Sequence, residues 1–468
     1  MQKILSALAL ASSFAIAQPP SGIAIRNARI VPVSGPVIQK GSVVLRNGLI
    51  AAVGENISIP ADAWIIEGEG LTVYPGLIDS LSSWGMPEAA AAAPATGGRG
   101  GGAAAIAQQG APAIPPARGP EDRPSTTSWL RAADQISATD RRLELARNAG
   151  FTTAISFPKR GIIAGQGSVV NLAGPKPADM VVVPSVGQYM TMANNGFGGG
   201  FPGSLMGTIS YIRQICLDAD RYARIKQQYA ASPRGMARPE YDRALEGLLE
   251  SPRILLPANR SVEITRMIRF AKELNRTTVL YGLSEGYRAA DAVKASGLPA
   301  LVSLRWPEKA RDGDPDQEDS LRVLELRDKA PSTPAEFARK GVLFAFYSDT
   351  VDQPRDVVRA VRKAMTNGLS EADALKALTL NAAQIFGVSD RLGSIEPGKI
   401  ANLVITKGGI LDERPQVQYI IIDGMKYEPS PEAPAPAGGA GFTRPAANAG
   451  ANRTGAKHTG ANRTGVNQ

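Results

Sequence analysis

Histidine and cysteine are almost missing from this sequence: its 468 residues include one of each, His458 and Cys216. A single cysteine excludes an intramolecular disulfide. Cys216 falls inside a helical pattern over residues 208–219 and reads as a small buried apolar residue. A thiol nucleophile needs a base beside it, and His458 sits far off in a low-complexity tail. Long apolar runs are missing after the first residues, so the mature chain is expected to have no membrane span. No Gly-x-Gly-x-x-Gly turn supports nucleotide binding. Nor does a basic run interleaved with aromatics accompany the net charge of +9. Lysine and arginine alternate with acids along helical stretches such as Asp140-Arg-Arg-Leu-Glu-Leu-Ala-Arg147. Solvated faces explain most of that charge, and no nucleic-acid partner is expected.

The N-terminus does carry a signal. Met1-Gln2-Lys3 precedes a short apolar run that ends in Ala15-Ile16-Ala17, the pattern of a cleaved secretory signal over residues 1–17. The protein is therefore expected to be exported, to the periplasm or beyond the cell. Between residues 23 and 73, short alternating segments are separated by Gly, Asn and Pro turns, which predicts a small antiparallel β unit. The same texture returns near the end, so residues 22–74 and 390–428 are expected to pair as one discontinuous β-sandwich domain.

In between, strand-like runs alternate with amphipathic helical runs, the signature of βα units. Strands are predicted at 72–78, 151–157, 180–183, 254–257, 277–281, 300–304 and 342–348, and helices at 128–148, 206–229, 261–274, 285–295 and 319–328. This many alternations favours an α/β fold with a TIM-like (β/α)8 barrel over residues 75–389. Residues 87–126 are rich in Ala, Gly and Pro and read as a mobile insertion, either a lid or inert. The tail 429–468, with its repeated Gly-Ala-Asn-Arg-Thr-Gly, reads as disordered.

One motif carries a resemblance. Gly70-Leu-Thr-Val-Tyr-Pro-Gly-Leu-Ile-Asp79 is similar to the strand that enters the barrel in the amidohydrolase superfamily, in its imidazolonepropionase-like branch. Tyr347-Ser-Asp349-Thr resembles the family's last barrel strand, and Gly393-Ser-Ile-Glu-Pro-Gly-Lys-Ile-Ala-Asn402 its return strand. The resemblance implies hydrolysis of C–N bonds at a centre of zinc or another divalent metal. Yet Leu81 and Ser83 stand where the first two metal-binding imidazoles would be, and Pro257 and Tyr281 fall at two further ligand positions. No metal or other cofactor is expected in this chain.

Asp349 matches the family's last-strand aspartate and is the one catalytic candidate, with a structural role as the alternative. Lys159 and Gln166, in the glycine-rich stretch after the second barrel strand, are candidate ligand contacts, as are Glu285, Tyr287 and Ser348 at strand ends. Each also has a plain structural reading, as a solvated turn or a helix N-terminus. Three functions stay open. One is a catalytically degenerate homologue that pairs with an active amidohydrolase paralogue in a hetero-oligomer, or forms a homo-oligomer. The second is an active hydrolase with an atypical or metal-free site. The third is an exported protein that binds a small molecule.

Overall fold

The computed structural model describes residues 22–87, 119–194, 196, 200–309, 318–349 and 354–430. The expected signal segment, most of the 87–126 insertion and nearly all of the expected disordered tail lie outside the described residues.

Five strands open the chain: β1 (Gly22–Ile30), β2 (Ile38–Arg46), β3 (Leu49–Gly54), β4 (Ala63–Glu67) and β5 (Thr72–Pro75). Asn47 and Gly48, both left-handed with φ of 53° and 78°, make the two-residue turn between β2 and β3 whose twist suits a hairpin. The barrel strands follow: β6 (Leu77–Ser82), β7 (Phe151–Ser156), β8 (Ile163–Asn171), β9 (Val181–Met190), β10 (Ile254–Ala258), β11 (Thr278–Gly282), β12 (Ala300–Ser303) and β13 (Phe344–Tyr347). Last come β14 (Leu403–Lys407), β15 (Gln416–Ile422) and β16 (Met425–Tyr427). The chain returns to its first sheet when β14 pairs antiparallel with β5, Val404 opposite Tyr74. The result is one branched sheet wrapped round a shared core that includes Ile25, Leu45, Val73, Leu403 and Ile421. β1 runs parallel to both β4 and β5, so the N-terminal unit is mixed rather than purely antiparallel.

The eight strands β6 to β13 form a nearly closed barrel-like sheet. Along the strands, residues alternate between an interior core of Ile155, Leu255, Val279, Leu301 and Ala345 and an outer core of Ala154, Leu256, Leu280, Val302 and Phe346 against the helices. At the end where the strands begin, the helix Leu380–Phe386 plugs the interior, anchored by Asn381 Nδ2 donating to the Phe344 carbonyl.

Four features depart from the sequence reading. Residues 72–78 are two strands in two sheets, divided at Gly76, where a Cβ would lie 2.0 Å from Thr152 Oγ1. Residues 163–171, within a stretch read as a glycine-rich loop, form β8, antiparallel to both β7 and β9. Short hairpin connections permit that direction, whereas a parallel neighbour needs a crossover. The helix expected over 128–148 shrinks to Arg141–Asn148, because Asp140 caps it by accepting from the Arg142 N–H. The far end of the insertion, residues 119–126, is packed: Arg123 binds Asp218 and Asp242, and Thr126 shares a hydrogen bond with Tyr211. No described helix is long and apolar enough to cross a membrane.

β6 and β13 lie side by side without a backbone ladder among the described residues. One carboxylate closes the gap. Buried Asp79 accepts from the Ser348 N–H at 3.0 Å and from the Ser348 hydroxyl at 2.6 Å. Burial pushes the Asp79 carboxyl above its ordinary value, against the pull of the Ser348 bonds and of Lys159. With its folded pKa raised, the native state holds a proton that the unfolded chain has already lost. Stability therefore falls as pH rises from about 4, the unfolded value, through the folded one. Ser348→Ala should cost about 2 kcal/mol in urea unfolding. Asp79→Asn should flatten the pH dependence above about pH 4; an unchanged slope would assign that dependence to other groups.

Candidate functional site

The strands of the barrel end at a cavity of about 880 Å³, the side where barrel folds carry their sites. Lys159, Tyr189, Pro257, Tyr281 and Asp349 line it from the strand ends. The helices Leu205–Ala231 and Ser261–Leu274 add Ile209, Met267 and Phe270, with Arg213, Arg266 and Arg269. Arg213 is tied to Glu273, so Arg266 and Arg269 give that wall its positive charge.

Asp349 follows β13 with φ of 47°, a left-handed conformation that costs a side chain other than glycine some strain. Its Oδ2 accepts from the Ser303 hydroxyl at 2.7 Å. Lys159 follows β7 and faces Asp349 and Asp79. Burial lowers its pKa, the two carboxylates oppose that, and Arg142 adds to it.

Beneath them lies an aromatic plug. The rings of Tyr189 and Tyr281 are 5.1 Å apart and those of Tyr281 and Tyr347 6.5 Å apart, with Phe157 6.0 Å from Tyr189. Burial pushes the Tyr189 phenol up to about 12 and drives Tyr281 and Tyr347 well above the usual range, with Asp349 adding to each. The Tyr281 hydroxyl donates to the Met190 carbonyl at 2.9 Å.

The residues at the ligand positions that the resemblance implies do not fit a divalent metal. Leu81 is packed into the barrel-interior core with Ile155, Phe157 and the tyrosines. Ser83 turns to Arg142, which donates to its carbonyl and hydroxyl. Pro257 brings no donor atom, and the Tyr281 hydroxyl is already engaged. No group of three or more His, Cys, Asp or Glu side chains with metal-ligand spacing occurs among the described residues. Cys216 is buried, with its thiol pushed up to about 11, and is remote from nucleophilic use.

Of the predicted contacts, the structure brings Lys159 and Asp349 together with Pro257 and Tyr281 on the cavity. It places the others elsewhere. Gln166 is fully buried in β8, where its amide donates to the carbonyls of Ser128 and Gly247, so it has no face toward a ligand. Glu285 accepts from the Ser261 N–H at the start of the helix Ser261–Leu274 and pairs with Arg322. Burial would raise its pKa, but these bonds hold it below the ordinary value. Tyr287 lies in the first turn of Gly286–Ser296, bonded to Arg288 and off the cavity. Ser348 serves the barrel closure. The sequence reading passed over Asp79, Tyr189, Ser303 and Tyr347. Asp79 stood in the quoted entry motif, and Tyr189 lay beyond the predicted end of its strand.

Residues 258–430 match the model of the amidohydrolase family. The chain carries an amidohydrolase-family domain. An amidohydrolase from Thermotoga maritima has the same fold at 27% identity and a TM-score of 0.70, over 87% of this chain and all of that one. Short stretches also resemble adenine deaminases: 42% identity over 60 residues with adenine deaminase 3 of Rhizobium meliloti, and 36% over 64 residues with that of Moorella thermoacetica. These matches cover 13% and 14% of this chain, and the chain spans 10% of the length of either relative. At the positions that the resemblance implies for metal ligands stand Leu81, Ser83, Pro257 and Tyr281. Tyr281→Phe should cost only about 1 kcal/mol, the worth of one hydrogen bond. Tyr281→Ala should cost about 3–5 kcal/mol by opening a void in the plug. Equal losses in denaturant unfolding would show that packing of the ring contributes little.

Proposed function

We propose that this chain is an exported, catalytically degenerate amidohydrolase of the imidazolonepropionase-like branch, whose barrel mouth binds a small molecule without a metal. The observation that carries the reading is the substitution pattern at the mouth. Leu81, Pro257 and the bonded Tyr281 remove the donors a metal needs, yet an open cavity with Lys159 and Asp349 persists above them. Hydrolysis on this fold depends on a metal that lowers the pKa of a bound water toward neutrality. A packed aromatic floor cannot do this, and fold alone is no warrant for activity. Pairing with an active paralogue belongs to the same proposal and rests on the sequence.

The test is the metal content of the purified protein, measured by mass spectrometry after expression with zinc, manganese and iron supplied, beside an assay with N-acyl amino acids, dipeptides and cyclic amides. The expected result is folded protein with substoichiometric metal and no turnover. Stoichiometric metal that disappears in Asp349→Ala, together with turnover, would overturn the reading.

A further inference from the structure

We propose that Lys159 captures an aldehyde or ketone that enters the barrel cavity, joining it as an imine. The inference goes beyond the binding role above and rests on its metal-free cavity.

The first ground is the lysine's isolation. Several lysines of the described chain have a close acceptor. Lys399 is bonded to Ser394 and Glu396, Lys226 to Glu246, Lys340 to Asp291 and Lys294 to the Gly341 carbonyl. Lys159 lines the cavity and makes no hydrogen bond or ion pair with any described residue. Lys159 is half-buried and faces Asp349 and Asp79 without bonding to either, and a lysine partly withdrawn from water gives up its proton more readily. The lowered pKa of this amine agrees. A neutral lysine amine in an apolar pocket is a nucleophile toward carbonyl carbon.

The second ground is what surrounds it. Asp349 and the phenol of Tyr189 line the same cavity, and the facing helices add Ile209, Met267 and Phe270 between Arg266 and Arg269. In the reaction the Nζ lone pair attacks the carbonyl carbon, and a proton moves from nitrogen to oxygen to give a carbinolamine. The hydroxyl then takes a proton from a neighbouring acid and leaves as water while nitrogen forms the C=N bond. One water is released per imine, and nothing is oxidised or reduced.

The experiment treats the purified protein at neutral pH with acetylacetone, a 1,3-diketone that condenses with neutral amines to a conjugated enaminone. Absorbance follows the reaction and peptide mass mapping locates the adduct. The expected result is one adduct at Lys159, formed faster than at any other lysine, since the neutral fraction of an amine rises as its pKa falls. Lys159→Met should abolish that fast phase, with circular dichroism to check folding. Mapping on the unmodified chain decides the question even if the variant fails to fold. Labelling spread over surface lysines such as Lys226, or none at Lys159, would overturn the imine and leave metal-free binding standing. Bound metal with amide turnover would instead sink the binding role, whatever the labelling shows.

Discussion

The barrel depends on one buried carboxylate. A sheet curled into a cylinder must join its first and last strands, and here the ladder stops short of that joint. Asp79 on β6 accepts both the backbone N–H and the hydroxyl of Ser348, just beyond β13. An unpaired backbone donor buried at that seam would be expensive, and a two-oxygen acceptor satisfies it at a single point. The same seam fixes where Asp349 begins, so the position of the cavity's carboxylate follows from the closure of the barrel. Ile78 N–H, which also faces the gap, is taken by the Leu378 carbonyl, tying the seam to the segment ahead of the plugging helix.

Above the seam, packing rather than coordination organises the interior. Leu81, Phe157, Tyr189, Tyr281 and Tyr347 make one layer, in which the Tyr281 hydroxyl donates to the Met190 carbonyl and Tyr347 is bonded to Ser303 and Asp349. Burying phenols raises the cost of ionising them, so this layer stays neutral at physiological pH and supplies hydrogen-bond donors rather than anions. A barrel interior filled with side chains is a core, not a pore.

Much of the architecture was legible because its signals are local. The turn chemistry of Asn47-Gly48 and the alternation of strand and helix patterns have physical causes readable a few residues at a time, as does the apolar run through Leu77 and Ile78. What failed was local evidence with a distant cause. The glycines that made residues 161–168 look like a turn serve a strand: a Cβ on Gly167 would lie 2.2 Å from the Phe157 ring. Gly76 looks like part of one strand until Thr152 is seen against it. Gln166 and Glu285 looked like ligand contacts because polar residues near strand ends often are. Only the fold reveals that carbonyls of Ser128 and Gly247 and the amide of Ser261 already claim them. Lys159 and Asp349 were found at the cavity because a barrel's geometry sends strand-end residues there.

The electrostatics of the floor follow from what the layer below lacks. In a metal site, a dication is often the largest local charge and sets the ionisation of every group around it. Leu81, Ser83, Pro257 and Tyr281 stand where the resemblance implies ligands, and each carboxylate is bonded to a neutral donor: Asp79 to Ser348, Asp349 to Ser303. Serine hydroxyls satisfy a carboxylate without cancelling its charge. That leaves the Lys159 amine facing both from the cavity wall, without a hydrogen bond or ion pair to either. Two carboxylates favour its charged form and desolvation favours its neutral one, with desolvation the larger effect. Asp79 and Asp349 are each bonded to a serine, whereas this amine makes no hydrogen bond or ion pair with any described residue. The cavity therefore concentrates its chemical responsiveness in one amine, while the carboxylates beside it remain fixed by the fold.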